Sequence, residues 1–184
     1  ESAPVRPVSP YAASKAAADM VALQAHLGFD QHVVRARSFN HLGPGQSDRF
    51  VCSALAARIV ANELSGDTEV RVGNLSPRRD FTDVRDVVRA YRLLGEQGRS
   101  GKAYNVCTGT STSVQEVMDR LLAMAGHEMH LSIDPELFRP ADLVELRGDP
   151  SRISSDTGWK PSHVLDETLV DLLEDWRGRL STAD

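Results

Sequence analysis

The chain has 184 residues, 41% of them hydrophobic and 26% charged, with a formal net charge of −5 at pH 7. That is enough for one core, or for a small domain with pieces of another, and an acidic balance with scattered Lys and Arg argues against a nucleic-acid platform. No apolar run approaches the ~18–20 residues of a membrane span, and Glu1-Ser2-Ala3-Pro4 lacks the basic start and apolar run of a signal peptide. A cytoplasmic protein is therefore expected, with Cys52 and Cys107 as reduced thiols. His127 and His130 stand three apart without an accompanying carboxylate or thiol cluster, so no metal site is expected.

In chain order, the proline-bearing lead 1–10 gives way to a helix. Ser9 suits the cap, Pro10 the first helical position, and an Ala-rich run follows until Gly28 offers a stop. The stretch 31–39 is β-prone at Val33-Val34, and 40–46, with two glycines and a proline, reads as a loop. In an open α/β sheet such a helix–strand–loop unit puts residues 38–42 at the ligand edge, beyond the carboxyl ends of the strands.

Val51, Leu55, Ile59, Val60 and Leu64 recur at helical spacing. A short strand is expected at 70–72. A helix capped by Thr82 or Asp83 then carries an apolar stripe of Val84, Val87, Val88, Tyr91 and Leu94. Residues 103–106 suggest another strand. Ser113 with Glu116 three residues later fits a capping box ahead of the helix 114–124. The region 131–150, with three prolines, is expected to be irregular. The chain closes on a turn at 158–161 and an amphipathic helix from about 166 to 176. Trp159 and Trp176 are read as core residues.

The chemistry-bearing pattern lies at Tyr11-Ala12-Ala13-Ser14-Lys15. Residues four apart on a helix share a face, and a phenol beside an ammonium is easier to ionise, which suits proton exchange. Alone, the pair also fits a core-edge tyrosine and a solvated lysine. Other candidates are Asn40, whose amide can donate to and accept from ligand oxygens or simply occupy a turn, and Arg79. A guanidinium forks onto two phosphate oxygens, or stays a surface charge.

Taken together, 9–18, 34–46, 73–91, 104–109 and 139–159 resemble the extended short-chain dehydrogenase/reductase family, in its nucleotide-sugar branch of GDP-4-dehydro-6-deoxy-mannose reductases and GDP-mannose 4,6-dehydratases. The resemblance implies an α/β fold: the last part of the parallel sheet of an NAD(P)-binding Rossmann-type domain, plus a small α/β substrate domain. Residues 1–42 and 78–109 would belong to the first, and 43–77 and 110–184 to the second. It makes Tyr11 the catalytic acid/base and Lys15 its partner on the nicotinamide ribose. Ser38 and His41 would lie at the cofactor, Asn40 at the sugar or its diphosphate, Arg79 at the diphosphate, and Arg139 of Arg139-Pro140-Ala141-Asp142 over the nucleotide. Ser38 stands where this branch often has proline.

The implied cofactor is NAD or NADP. The glycine-rich G-x-x-G-x-x-G run that holds its pyrophosphate does not occur here, nor does the Ser/Thr that precedes the tyrosine motif in relatives. The chain thus reads as a piece of a longer enzyme that alone neither binds NAD(P)H tightly nor turns over. The expected activity is reduction of GDP-4-keto-6-deoxy-mannose at C4. The alternatives are a GDP-mannose 4,6-dehydratase, a UDP- or dTDP-sugar epimerase or dehydratase, and a non-catalytic fragment or degenerate binding protein. The family also implies a homodimer through the tyrosine-bearing helix.

Overall fold

The computed structural model describes residues 1–138 and 143–182. The first helix, α1 (Pro10–Phe29), is capped as expected: the Ser9 hydroxyl accepts the Ala12 N–H at 3.1 Å, with Pro10 in the first turn. It runs one residue past Gly28, and Asp30 rather than a glycine takes the left-handed position, at φ 51°. The chain then returns as β1 (Arg35–Ser38), two residues later than Val33-Val34 suggested. Arg35 and Arg37 turn to one face, where both pair with Asp19 of α1 at 2.7 Å. Ser38 turns to the other.

The expected loop at residue 40 begins instead as a strand, β2 (Asn40–Leu42). After it come α2 (Val51–Ser65), β3 (Glu69–Val72), β4 (Arg78–Arg79), β5 (Phe81–Asp83), α3 (Val84–Gln97), β6 (Ala103–Val106), β7 (Thr112–Ser113) and α4 (Val114–Ala123). The stretch 131–150 is more regular than its prolines implied. It holds β8 (His130–Ile133), a 3₁₀ turn at Pro135–Leu137 and β9 (Glu145–Leu146). Two helices finish the chain, α5 (Ser151–Thr157), which no pattern announced, and α6 (Leu165–Ser181).

Three strand pairs are parallel: β1 with β6, β2 with β5, and β3 with β8; β4 lies between antiparallel β7 and parallel β9. Leu42, Leu55, Ile59, Val70, Met118 and Leu172 belong to the larger core, built from α2, α4, α6 and the strands beside them. The smaller core joins Val87, Ala90 and Leu94 of α3 to Tyr104 and Val106 of β6, and is closed by Ile153 and Trp159 from the C-terminal region. Trp159 is fully buried and Trp176 packs against the larger core, as their apolar bulk suggested. The expected capping box is formed in full: Ser113 Oγ accepts the Glu116 N–H at 3.0 Å, and Glu116 Oε2 accepts the Ser113 N–H at 2.6 Å.

Asp86 ties α3 to the chain after Trp159. Its buried carboxylate accepts from Ser162 N–H (2.9 Å), Ser162 Oγ (2.7 Å), His163 N–H (3.0 Å) and Arg89 Nη2 (2.6 Å). Burial alone would raise its pKa; Arg89 and the other donors outweigh that and hold it well below the usual carboxylate range. A depressed folded-state pKa contributes stability that is complete above the unfolded value of about 4 and is lost as the pH falls through the folded value. Stability measured by denaturant titration should therefore drop below about pH 4. Asp86→Asn, weaker at neutral pH, should show a shallower acid slope; an unchanged slope would remove Asp86 from that account.

Candidate active site

The site is assembled just past the carboxyl end of β1 and at the amino ends of the paired β2 and β5. Asn40 pairs in register with Phe81, and Arg79 stands two residues before Phe81, so the β2–β5 pairing brings the Asn40 loop edge to the Arg-Asp-Phe motif. Asn40, His41 and Arg79 line one cleft of about 510 Å³, floored by Leu42, Phe81 and Leu55. The Arg79 Nη1 atom donates to the carbonyls of Arg78 (2.7 Å) and Leu143 (2.8 Å), which fixes its fork against the segment around β9. The neighbouring Asp80 is buried and serves the frame: it accepts from the N–H groups of Thr108, Gly109 and Gly148 and from the Thr108 hydroxyl.

Tyr11 and Lys15 do not line that cleft. They lie one turn apart on α1, with the Lys15 ammonium 5.6 Å from the centroid of the Tyr11 ring, and Tyr11 is 71% exposed. The direction of α1 nevertheless carries them to the same edge. His26, near its C-terminal end, meets Gln31 and Ser100, at the start of β1 and just ahead of β6, while Asp19 meets Arg35 and Arg37. The helix thus runs antiparallel to β1. Tyr11, about 12 Å further along the axis than Asp19, reaches beyond the end of the strand where Asn40 begins.

The remaining candidates separate. The Ser38 hydroxyl is bonded to Tyr91 Oη at 2.6 Å on the α3 side of β1, so only its backbone is left to meet a ligand on the α1 side. The His41 Nδ1 atom sits 3.1 Å from the Phe39 carbonyl, which orients an exposed ring at the cleft. Arg139 lies outside the described residues.

Several cleft residues were not singled out from sequence. Arg58 continues the face of α2 that carries Val51 and Leu55, one turn further on, and donates to the Arg71 carbonyl at 2.8 Å. Asp48, Arg49, Gln46, Asn74 and Glu136 complete the polar lining. Arg49, Arg58 and Arg79 outnumber the carboxylates of Asp48 and Glu136 in this lining, and their guanidinium groups are what a dianionic ligand would meet. Cys52 also lines it, but burial pushes its thiol up to about 12, so it packs as an apolar group and offers no nucleophile.

Residues 1–172 match the family model described as GDP-mannose 4,6 dehydratase. The chain belongs to that family. It is 39% identical over 176 residues to a GDP-6-deoxy-D-mannose reductase of Pseudomonas aeruginosa, covering 95% of this chain and 58% of that protein. It is 31% identical over 177 residues to GDP-mannose 4,6 dehydratase 1 of Arabidopsis thaliana, covering 95% of this chain and 48% of the relative. Among solved structures, a P. aeruginosa RMD complexed with NADPH superposes with a TM-score of 0.88 at 36% identity, over 95% of this chain and 58% of that one. The chain therefore spans about half the length of the relatives it matches, and its fold corresponds to part of a Rossmann-type enzyme of the extended short-chain dehydrogenase/reductase class. Among the described residues no helix is long and apolar enough to cross a membrane, and no cluster of His, Cys, Asp and Glu could hold a metal ion.

Proposed function

We propose that the complete protein containing this chain is a nucleotide-sugar oxidoreductase that reduces a GDP-4-keto-6-deoxy-hexose at C4. The observation that supports this most is an arginine-bearing cleft lined by Asn40 and Arg79 at the sheet edge toward which α1, by its direction along β1, carries the exposed Tyr11–Lys15 pair. The 39% identity to a GDP-6-deoxy-D-mannose reductase supports this choice of reaction over the family's dehydratases.

In this reading Asn40 orients the sugar through its amide, and Arg79 with Arg49 or Arg58 meets the diphosphate oxygens. The Tyr11–Lys15 pair suits one end of NAD(P)H: an exposed ammonium a turn from a phenol can hold ribose hydroxyls while the phenol stays at the reacting oxygen. His41 and the backbone at Ser38 lie beside it. Binding of the cofactor's pyrophosphate is not assigned to these residues. The chemistry NAD(P)H supplies when bound is hydride; the chain's own part is to hold the ketone and to protonate its oxygen. As the C4 carbonyl becomes an alcohol, its oxygen gains negative charge, and the Tyr11 hydroxyl delivers a proton there. The exposed apolar residues of α1, among them Met20, Val21, Leu27 and Phe29, suit a homodimer contact.

The dehydratase reading is kept by the family match and by the Arabidopsis relative. The complete protein is expected to oxidise NADPH when given the 4-keto-6-deoxy sugar nucleotide, and to leave GDP-mannose unchanged in the presence of NADP+. Formation of the 4-keto sugar from GDP-mannose would replace the reductase with the dehydratase.

A further inference from the structure

One end of the cleft is built by strands that no sequence pattern paired. β3 and β8 run parallel with Val72 opposite Ile133, so both chains emerge on the same side. Two residues after β3 comes Asn74, and three after β8 comes Glu136; both line the cleft together with Phe138. The two exits touch: a Cβ on Gly73 would lie 2.6 Å from the Leu137 carbonyl oxygen.

The turn that presents Glu136 is pinned. Asp134 donates its N–H to the Val72 carbonyl (2.8 Å), accepts the Glu136 N–H (2.9 Å) and pairs with Arg71. The Glu136 carboxylate itself has no hydrogen bond or ion pair among the described residues, so both oxygens remain as acceptors. Asn74 has its carbonyl oxygen occupied by the Ser76 N–H at 3.0 Å, which leaves its amide N–H groups as donors. An oriented amide donor and a carboxylate carried on a pinned turn thus stand at the end of a cleft that Phe138 also lines.

We propose that Glu136 and Asn74 read the nucleobase, and that they select guanine. Guanine presents one acceptor, O6, beside two donors, N1–H and N2–H₂. A carboxylate takes the two donors side by side, and an amide N–H meets O6. Uracil and thymine present a single N–H between two carbonyls, so one carboxylate oxygen would face another oxygen. Phe138 offers the larger purine a stacking surface. This inference rests on the reading of the cleft as a nucleotide-sugar site.

Calorimetric titration of the complete protein with GDP, IDP and UDP tests it. GDP is expected to bind at least about tenfold more tightly than UDP, with IDP, which lacks the N2 amino group, about tenfold weaker than GDP. Glu136→Gln turns an amide N–H toward a guanine donor but toward a uracil carbonyl, so it should weaken GDP about tenfold and leave UDP no weaker, narrowing the GDP-to-UDP ratio. An unaltered GDP-to-UDP ratio in that variant would overturn base reading by Glu136 and leave the cleft's nucleotide role standing. Failure of every nucleotide to bind the complete protein, shown folded by circular dichroism, would overturn both.

Discussion

Replacing Tyr11 with phenylalanine in the complete protein is expected to lower kcat about 10²–10⁴-fold, the range supplied by a positioned general acid. The structure makes this a clean experiment. The Tyr11 side chain is 71% exposed, and its hydroxyl has no hydrogen-bonding partner among the described residues. The ring, which the Lys15 ammonium overlies at 5.6 Å, is kept by the substitution. Removing one oxygen therefore costs the fold almost nothing, and the melting temperature should stay within about a degree of the parent, as for surface changes that disturb no buried contact. KM for the sugar nucleotide should hardly move, since Asn40 and the arginines stand in the cleft and Tyr11 does not line it. A fall in kcat with KM and stability preserved is the signature of a group used in the transition state. Undiminished kcat would remove Tyr11 from the reaction, and with it the reductase mechanism proposed above.

What the sequence disclosed depended on how local the cause was. The Ser9 cap, the Ser113–Glu116 box, the Asp83 cap of α3 and the burial of Trp159 each follow from a few neighbouring residues, and each is present. The elements that escaped notice are held from a distance. β8 is a half-exposed four-residue strand whose sequence carries no clear alternation; it exists because β3, some 60 positions earlier, offers a parallel edge. β2 was hidden by the turn formers directly behind it, and its pairing with β5 outweighs them. On α3, Val88 and Tyr91 were expected in the buried stripe yet are 61% and 47% exposed. Hydrophobicity fixes which residues share a helix face, not which part of that face another element covers. The site divides in the same way. Asn40 and Arg79 sit in short motifs, whereas Arg58, Asn74 and Glu136 acquire a common role only when β3, β8 and α2 converge.

The largest stability effect is expected at Asp80, one residue from the cleft arginine. Its side chain is fully buried, and its two oxygens tie the β4–β5 link to the turn after β6 and to the segment after β9. Oδ1 accepts from the Thr108 N–H at 2.8 Å and the Thr108 hydroxyl at 2.7 Å, just past the end of β6. Oδ2 accepts from Gly109 N–H at 2.9 Å and from Gly148 N–H at 3.2 Å, in the segment leading to α5. The Gly148 segment is packed closely here: a Cβ on Gly148 would press on Cys107 Sγ and the Phe39 ring. In Asp80→Ala these donors lose their acceptor inside a packed interior. An unmet buried donor costs about 1–3 kcal/mol, and three backbone N–H groups lose their acceptor at once. Water entering the vacated space offsets part of this, so about 3–4 kcal/mol is expected, a shift of roughly 10 °C in melting temperature for a chain of this size. Asp80→Asn keeps the shape but turns an N–H₂ group toward backbone N–H groups, and should fall between Ala and the parent. Because Arg79 is the preceding residue, loosening this junction also lets the guanidinium drift from the carbonyls that orient it. Nucleotide affinity should therefore fall in Asp80→Asn while the protein is still folded. Equal melting temperatures for all three proteins would show that the four donors find other acceptors, and that the junction between β4, β6 and the Gly148 segment is held by packing alone.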